Sequence, residues 1–333
     1  METRWRDTVI VDYEIGLPDH AVVEWELYSQ GLLRVPAVLL GESWLFGRQR
    51  RPGIVDLPEV DYDLVRARIA RLVLDLDGVR RLATRTEQLY SRVGDGLTLA
   101  EHQPGAGLTA GLVECVCQLM ALHVVNWMWP VEEFERIVSG ELGDEDAGHR
   151  AVLSLLVPTA PAYMIDFHQH VLAAVEQSVT DPARIRVLAD WLAGDVGFLQ
   201  RPAMPGLGPQ PWEDADTVGD VLAGWGAAVD SASVVGQRLA LRAAHETAQA
   251  ERCAIYAALL AASSGDPARW RQVQAIAVAC RLAADAEERR KVLQLRFLRL
   301  ARTLSARSGL PPATSTLADL RAAASMARME PGC

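Results

Sequence analysis

Thr109-Ala-Gly-Leu-Val-Glu-Cys-Val-Cys-Gln-Leu-Met-Ala-Leu-His-Val-Val-Asn-Trp-Met-Trp129 is apolar almost all the way round a helix, with Glu114, Gln118, His123 and Asn126 as the polar exceptions. A helix without a polar face must be covered by other elements. Its polar residues make it resemble a buried helix more than a membrane span, so it belongs at the centre of an all-α fold. Upstream, Thr98-Leu-Ala-Glu101 has capping-box spacing, and Pro104 with its neighbouring glycines breaks the chain before the central helix starts near Thr109.

Helical spacing of Leu64, Ile69, Leu72, Val73, Leu76 and Val79 carries the all-α reading back to Asp61. Before it the chain is less regular: a β-like Thr8 to Tyr13 run, an amphipathic piece from His20 to Leu33, and a basic turn at Arg48-Gln-Arg-Arg-Pro-Gly53. Residues 1–60 therefore read as an irregular, β-containing segment packed on a helical domain of residues 61–333. Asp75-Leu-Asp77-Gly78 lies beside a helix break and reads as a cap rather than an acidic metal motif.

Downstream, shorter helices are expected from about Val131 to Ser139, Asp144 to Leu156, Ala162 to Val179 and Asp181 to Leu192. Arg201 to Asp216 is too proline-rich for helix or central strand and reads as a loop containing Trp212. Two long helices follow, Val218 to Ala262 and Asp266 to Ser308, the second opened by Asp266-Pro267 and stopped by Gly309. A short helix begins at Thr316-Leu-Ala-Asp319. The architecture is a multi-helix bundle with two long C-terminal helices.

The 333 residues are half apolar and 23% charged, an ordinary globular balance. With 33 basic and 43 acidic residues the net charge is −10, which disfavours a nucleic-acid partner. Lys291 is the one lysine, so a Schiff base or a phosphate-loop lysine has no other source. The first thirty residues carry no secretory leader pattern, and the cytoplasm is the expected compartment. Cys115, Cys117, Cys253, Cys280 and Cys333 show neither disulfide-framework nor zinc-ribbon spacing and read as reduced thiols.

Asp166-Phe-His168-Gln-His170 is the most reactive-looking constellation, since Asp166 and His170 sit i, i+4 and can face one ligand, whereas His168 diverges from both. A metal site there would recruit ligands from Asp146, His149, Glu114 or Glu246, none of them in a repeated Glu-x-x-His pattern, and no metal or other cofactor is assigned. His245 and Glu246, adjacent on a helix, project about 100° apart and do not form an acid/base pair. Trp127, Met128 and Trp129, with Trp212 from the proline-rich loop, suit a large apolar ligand. No nucleophile elbow, Walker loop or dinucleotide fingerprint is present in a suitable context.

Several stretches resemble the helical middle region of phosphoenolpyruvate-synthase-like proteins, a group that includes rifampicin phosphotransferases. They are Asp61 to Leu89, Trp191-Leu-Ala-Gly-Asp-Val-Gly-Phe198, Pro211-Trp212-Glu213-Asp214, and Ala283 to Arg321, where Glu287-Glu288-Arg289-Arg290 opens a Leu/Arg-rich helix. The chain departs from the family in lacking a Thr/Ser-His segment in a glycine-rich setting. It also reads Gly197-Phe-Leu-Gln-Arg201 where a Gly-His-Arg-like segment is usual. The resemblance therefore implies a stand-alone unit that encloses a bulky, mostly apolar natural product or intermediate. His123, Asp166, His170 and Arg201 are the candidate catalytic groups for a cofactor-free cyclisation or rearrangement. Two alternatives stand beside it: a helical subunit of a split phosphotransferase with a separately encoded ATP-binding or phosphohistidine partner, and a carboxylate/histidine metalloenzyme.

Overall fold

A computed structural model describes residues 5–9, 22–52, 54–103, 108–142, 231–311 and 314–329, with isolated helical positions at 169, 172–173, 183 and 220. Among these residues the fold is all-α apart from one small sheet. Its elements are β1 (Trp5–Val9), α1 (Val22–Leu33), a π-helical turn (Pro36–Leu40), β2 (Arg48–Arg51), β3 (Ile54–Pro58), α2 (Glu59–Val73) and α3 (Leu76–His102). The chain continues with α4 (Ala110–Leu142), α5 (Ser231–Ala262), α6 (Pro267–Arg307) and α7 (Leu317–Met329).

Helix α4 is central, as its composition requires. Leu119, Met120, Ala121 and Leu122 are buried at consecutive positions, so every side of this stretch is covered. Helices α1, α3 and α6 supply most of the cover, and α2 adds to it. The start of α4 is set by Thr109, whose hydroxyl accepts from the Leu112 amide at 3.0 Å. Its end differs from the expected stop near Trp129. The helix runs through Pro130 to Leu142 and absorbs the segment expected as a separate Val131 to Ser139 helix, because a proline removes only one backbone donor and a long helix propagates around it.

One contact fixes how α1 crosses α4. A Cβ on Gly31 would lie 2.6 Å from the Met120 Cβ and 2.8 Å from its carbonyl carbon, so only glycine admits this approach. Nearby, Arg34 donates from Nε and Nη2 to the two oxygens of Glu114 at 2.8 and 2.7 Å, and Gln118 donates to the same carboxylate at 3.1 Å. The Arg34 bond holds the Glu114 carboxyl below its usual range against the opposing effect of burial.

Helices α3 and α6 lie side by side with contacts that advance in the same direction along both. Tyr90 donates its hydroxyl to the Ala286 carbonyl at 2.7 Å. Arg289 covers the Tyr90 ring at 4.4 Å and forks onto both oxygens of Glu87 at 2.6 and 2.7 Å. Farther along, Arg296 reaches Glu101 at 2.7 and 3.0 Å and Thr98 at 3.0 Å. That pairing corrects the capping-box reading of Thr98 and Glu101. Both lie inside α3, Thr98 donates to the Gly94 carbonyl, and the Glu101 carboxylate serves a partner in α6 rather than a free amide. Arg290, 2% exposed, sits in the core between α6 and α4, bonded to Gln294 and 3.7 Å from the Met120 sulfur. Glu287 to Arg290 thus occupy the middle of a 41-residue helix instead of opening one.

The other local caps form as their spacing demands. Asp75 accepts from Asp77, Asp266 from Ala268 and Arg269, and Thr316 and Asp319 exchange bonds reciprocally. Of the expected Val218 to Ala262 helix, the described continuous part is Ser231–Ala262, with Asp220 also helical.

The sheet is antiparallel in the order β1-β3-β2. Arg48-Gln-Arg-Arg51, expected as a turn, is a strand, because Arg48 and Arg50 on one face of β2 both bond Asp56 of β3, which is 1% exposed. The described strand in the expected Thr8 to Tyr13 region is Trp5–Val9. Val55, Leu57, Phe46, Leu39, Leu27 and Val23 join Val116, Phe297 and Leu320 in a single hydrophobic cluster, so residues before 61 share the core of the helices.

Two outcomes test this packing. Gly31→Ala drives a methyl into the α4 backbone and is expected to destabilise by about 1–3 kcal/mol, read by denaturant unfolding; unchanged stability contradicts the close crossing. Glu26 accepts from the Leu317 amide at 2.5 Å at the start of α7; burial pushes its carboxyl up, that bond opposes the shift, and the Asp319 charge adds to it. A raised folded value means that stability from this group is present at low pH and lost as pH rises through that value. Glu26→Gln keeps an acceptor oxygen without the charge. In a pH series of thermal melts its Tm relative to the wild type should be higher at pH 7.5 than at pH 4; the opposite trend rules this out.

Candidate functional site

Only Leu74 and Asp75 separate α2 from α3, so the two helices meet at a sharp corner. Arg68, Arg71, Leu72 and Asp75 follow i, i+3, i+4, i+7 on the first side. Arg81, Thr84, Arg85 and Gln88 repeat that spacing on the second. The π-helical turn closes the third side with Leu39 and Leu40. It ends at Gly41, which takes the left-handed φ of 72°. Together with Glu42 and Gly78 these residues line a cavity of about 650 Å³.

The lining holds four arginines and two carboxylates, an excess of positive charge on a chain whose net charge is −10. The carboxylates are already engaged. Glu42 accepts from the Trp44 indole at 2.8 Å and from Arg68 at 2.6 Å, and these bonds hold it below the usual carboxylate range although burial opposes them. Asp75 gives one oxygen to the Asp77 amide at 3.2 Å, and the other meets Arg81 at 3.3 Å, long for a charge-assisted bond.

Two arginines are left with donors to spare. Arg85 donates from Nη2 to the Leu39 carbonyl at 2.8 Å and so ties α3 to the π-helical turn, while its Nε is buried with no acceptor among the described residues. Burial, and then the neighbouring Arg81 charge, pushes the Arg85 guanidinium down from its ordinary value. Arg71, exposed at the end of α2, has no hydrogen-bond or ion-pair partner among the described residues.

The cavity differs from the site expected from the tryptophans and histidines. His123, Trp127, Met128 and Trp129 lie on the α4 backbone with side chains outside the described residues. Asp166, His168, His170, Arg201 and Trp212 lie outside them altogether, as do Asp146 and His149. Of the carboxylates considered for a metal, Glu114 is committed to Arg34. Among the described residues no group of three or more His, Cys, Asp or Glu side chains is placed to hold a metal ion, and no helix is long and apolar enough to cross a membrane. Cys117 and Cys280 are buried free thiols whose burial pushes them up to about 12, which leaves them protonated and unreactive at neutral pH. Cys253 is exposed.

The arginine cluster carried a sequence signal that went unread. Arg81 and Arg85, like charges one turn apart, repel on an isolated helix, and Arg68 and Arg71 repeat the conflict on the preceding one. Comparison of the chain with family models, with curated proteins and with solved structures returns no match.

The cavity wall depends on Gly41. A Cβ there would lie 2.5 Å from Arg85 Nη1, and an L-residue at φ 72° is strained in addition. Gly41→Ala is expected to destabilise by about 1–2 kcal/mol from the backbone alone. Thermal unfolding checks it, and an unaltered Tm would mean that the turn is not held as described.

Proposed function

We propose that this protein is a small-molecule-binding protein, and that the open cavity at the α2–α3 corner holds its ligand by non-covalent contacts rather than by covalent chemistry. The carrying observation is a cavity of about 650 Å³ in which Leu40 and Leu72 lie beside arginines with unused donors. That volume falls in the ordinary range of small-molecule sites, roughly 300–1,000 Å³.

The lining speaks for binding over catalysis. Among the described residues it offers no cysteine, histidine, lysine or tyrosine, and the Thr84 hydroxyl donates to the Arg80 carbonyl. Glu42 is held ionised by the Trp44 indole and Arg68, which disfavours its taking a proton from a substrate. The mixed lining shifts the expected ligand from mostly apolar to amphipathic. The family resemblance, whose first stretch, Asp61 to Leu89, holds most of the cavity lining, is in keeping with a small-molecule role and assigns no role to any lining residue.

Thr84→Trp fills the mouth of the cavity from an exposed position. In a thermal-shift screen of small molecules, ligands that stabilise the wild type should lose their effect in this variant while its unliganded Tm stays put. At a hundredfold excess over Kd the stabilisation at stake is about 2.7 kcal/mol. Ligands that stabilise both proteins equally overturn the assignment. If stabilisation survives Thr84→Trp but is lost in Trp129→Ala, the site lies beside the paired indoles instead.

A further inference from the structure

Resting on that reading, we infer that the ligand of this cavity is an organic oxyanion, a carboxylate or phosphate ester, whose charged group is held by Arg71, Arg81 and Arg85 and whose body rests on Leu40 and Leu72. The cationic side chains come from two helices and converge on one cavity, where they outnumber the acids. Helix formation makes this costly, since like charges one turn apart repel. An anion bridging Arg81 and Arg85 removes that repulsion.

The pattern of existing bonds selects which arginines would serve. Arg68 is satisfied by Glu42, itself fixed by Trp44, so this pair forms a closed structural unit. Arg81 is held only loosely, at 3.3 Å from Asp75, in a pair exposed on both sides. Among the described residues Arg71 is unengaged, and Arg85 commits Nη2 to the Leu39 carbonyl while its Nη1 has no acceptor. A planar guanidinium offers two parallel donors, matched to the paired oxygens of carboxylate and phosphate. The first turn of α3 borders the cavity through Asp75 and Gly78, so the positive end of that helix adds to the same field.

The apolar side argues against free inorganic phosphate as the natural occupant. The half-buried Leu40 and Leu72 would then face water across the cavity without contributing. An aromatic or branched aliphatic body of modest size uses both halves of the lining.

The test titrates the full-length protein with phenyl phosphate, phenylacetate, inorganic phosphate and the neutral benzyl alcohol, using calorimetry at low salt. Either organic anion should bind more tightly than benzyl alcohol and inorganic phosphate, with affinity falling as salt is raised. The tighter of the two tells phosphate from carboxylate. Arg71→Gln removes no bond that the fold uses and should weaken the anion about tenfold, the worth of one charge-assisted hydrogen bond. Arg81→Gln should act in the same direction, and Arg85→Gln serves as a further variant only if its melting curve matches the wild type. Equal affinity for phenyl phosphate and benzyl alcohol, unchanged binding in Arg71→Gln, or no binding of either organic anion overturns the inference. A neutral ligand from the thermal-shift screen that is lost in Thr84→Trp but kept in Arg71→Gln would leave the small-molecule reading standing and remove only its anionic character.

Discussion

The burial of α4 on all sides is the constraint to which every other described element answers. A helix with no polar face has no solvent-facing orientation, so its neighbours must surround it. At Gly31 the backbone of α1 comes within methyl-excluding distance of Met120 and Ala121, which sets α1 and the chain around it against that axis. The π-helical turn follows α1 directly, and Phe46 donates its amide back to the Leu33 carbonyl at 2.8 Å. The third wall of the cavity is thus a consequence of how closely α1 can seat on α4.

On the opposite flank, α3 and α6 bind each other through polar contacts laid over an apolar seam. Buried Tyr90 gives its hydroxyl to a helix carbonyl and its ring to Arg289, so one side chain meets three demands. These contacts fix the position of α3, and its N-terminal half then carries Arg81 and Arg85 to the cavity. The candidate site is remote from the centre of the core, yet both of its helical walls pack against α4.

Features decided within one turn were legible in the sequence. Asp75, Asp266 and Thr316 cap as their spacing requires, because the competing partner in each case is water. The central helix was legible because its apolarity leaves no alternative placement. Thr98 and Glu101 were misread because their partner, Arg296, lies 195 residues beyond Glu101, and local spacing carries no information about it. The cavity was missed for a similar reason. Its arginines look like solvated helix surface until the two-residue break between α2 and α3 folds them together, and the π-helical turn has no periodic signature of its own. The tryptophan-lined pocket expected at Trp127 to Trp129, which lie in the middle of α4, falls on side chains outside the described residues.

The near-absence of lysine bears on both the stability and the proposed role. Arginine presents several fixed donors, so one side chain can hold a carboxylate with two of them or divide them among different acceptors. Arg34 and Arg296 do the first, each from Nε and Nη2, and Arg34 also reaches the Gln30 carbonyl at 2.9 Å, a combination unavailable to a single ammonium. Arg290 does the second inside the core, where a compact, strongly hydrated ammonium would pay a larger desolvation cost. Against that background, arginines that neither fork onto a carboxylate nor support a carbonyl depart from the pattern. Among the described residues Arg71 meets that description, as do exposed Arg242 and Arg271 elsewhere; Arg81 nearly does, and Arg85 keeps Nη1 without an acceptor. Arg71, Arg81 and Arg85 border one cavity, and an acceptor supplied from outside the fold would give them the role that carboxylates and carbonyls give the arginines elsewhere.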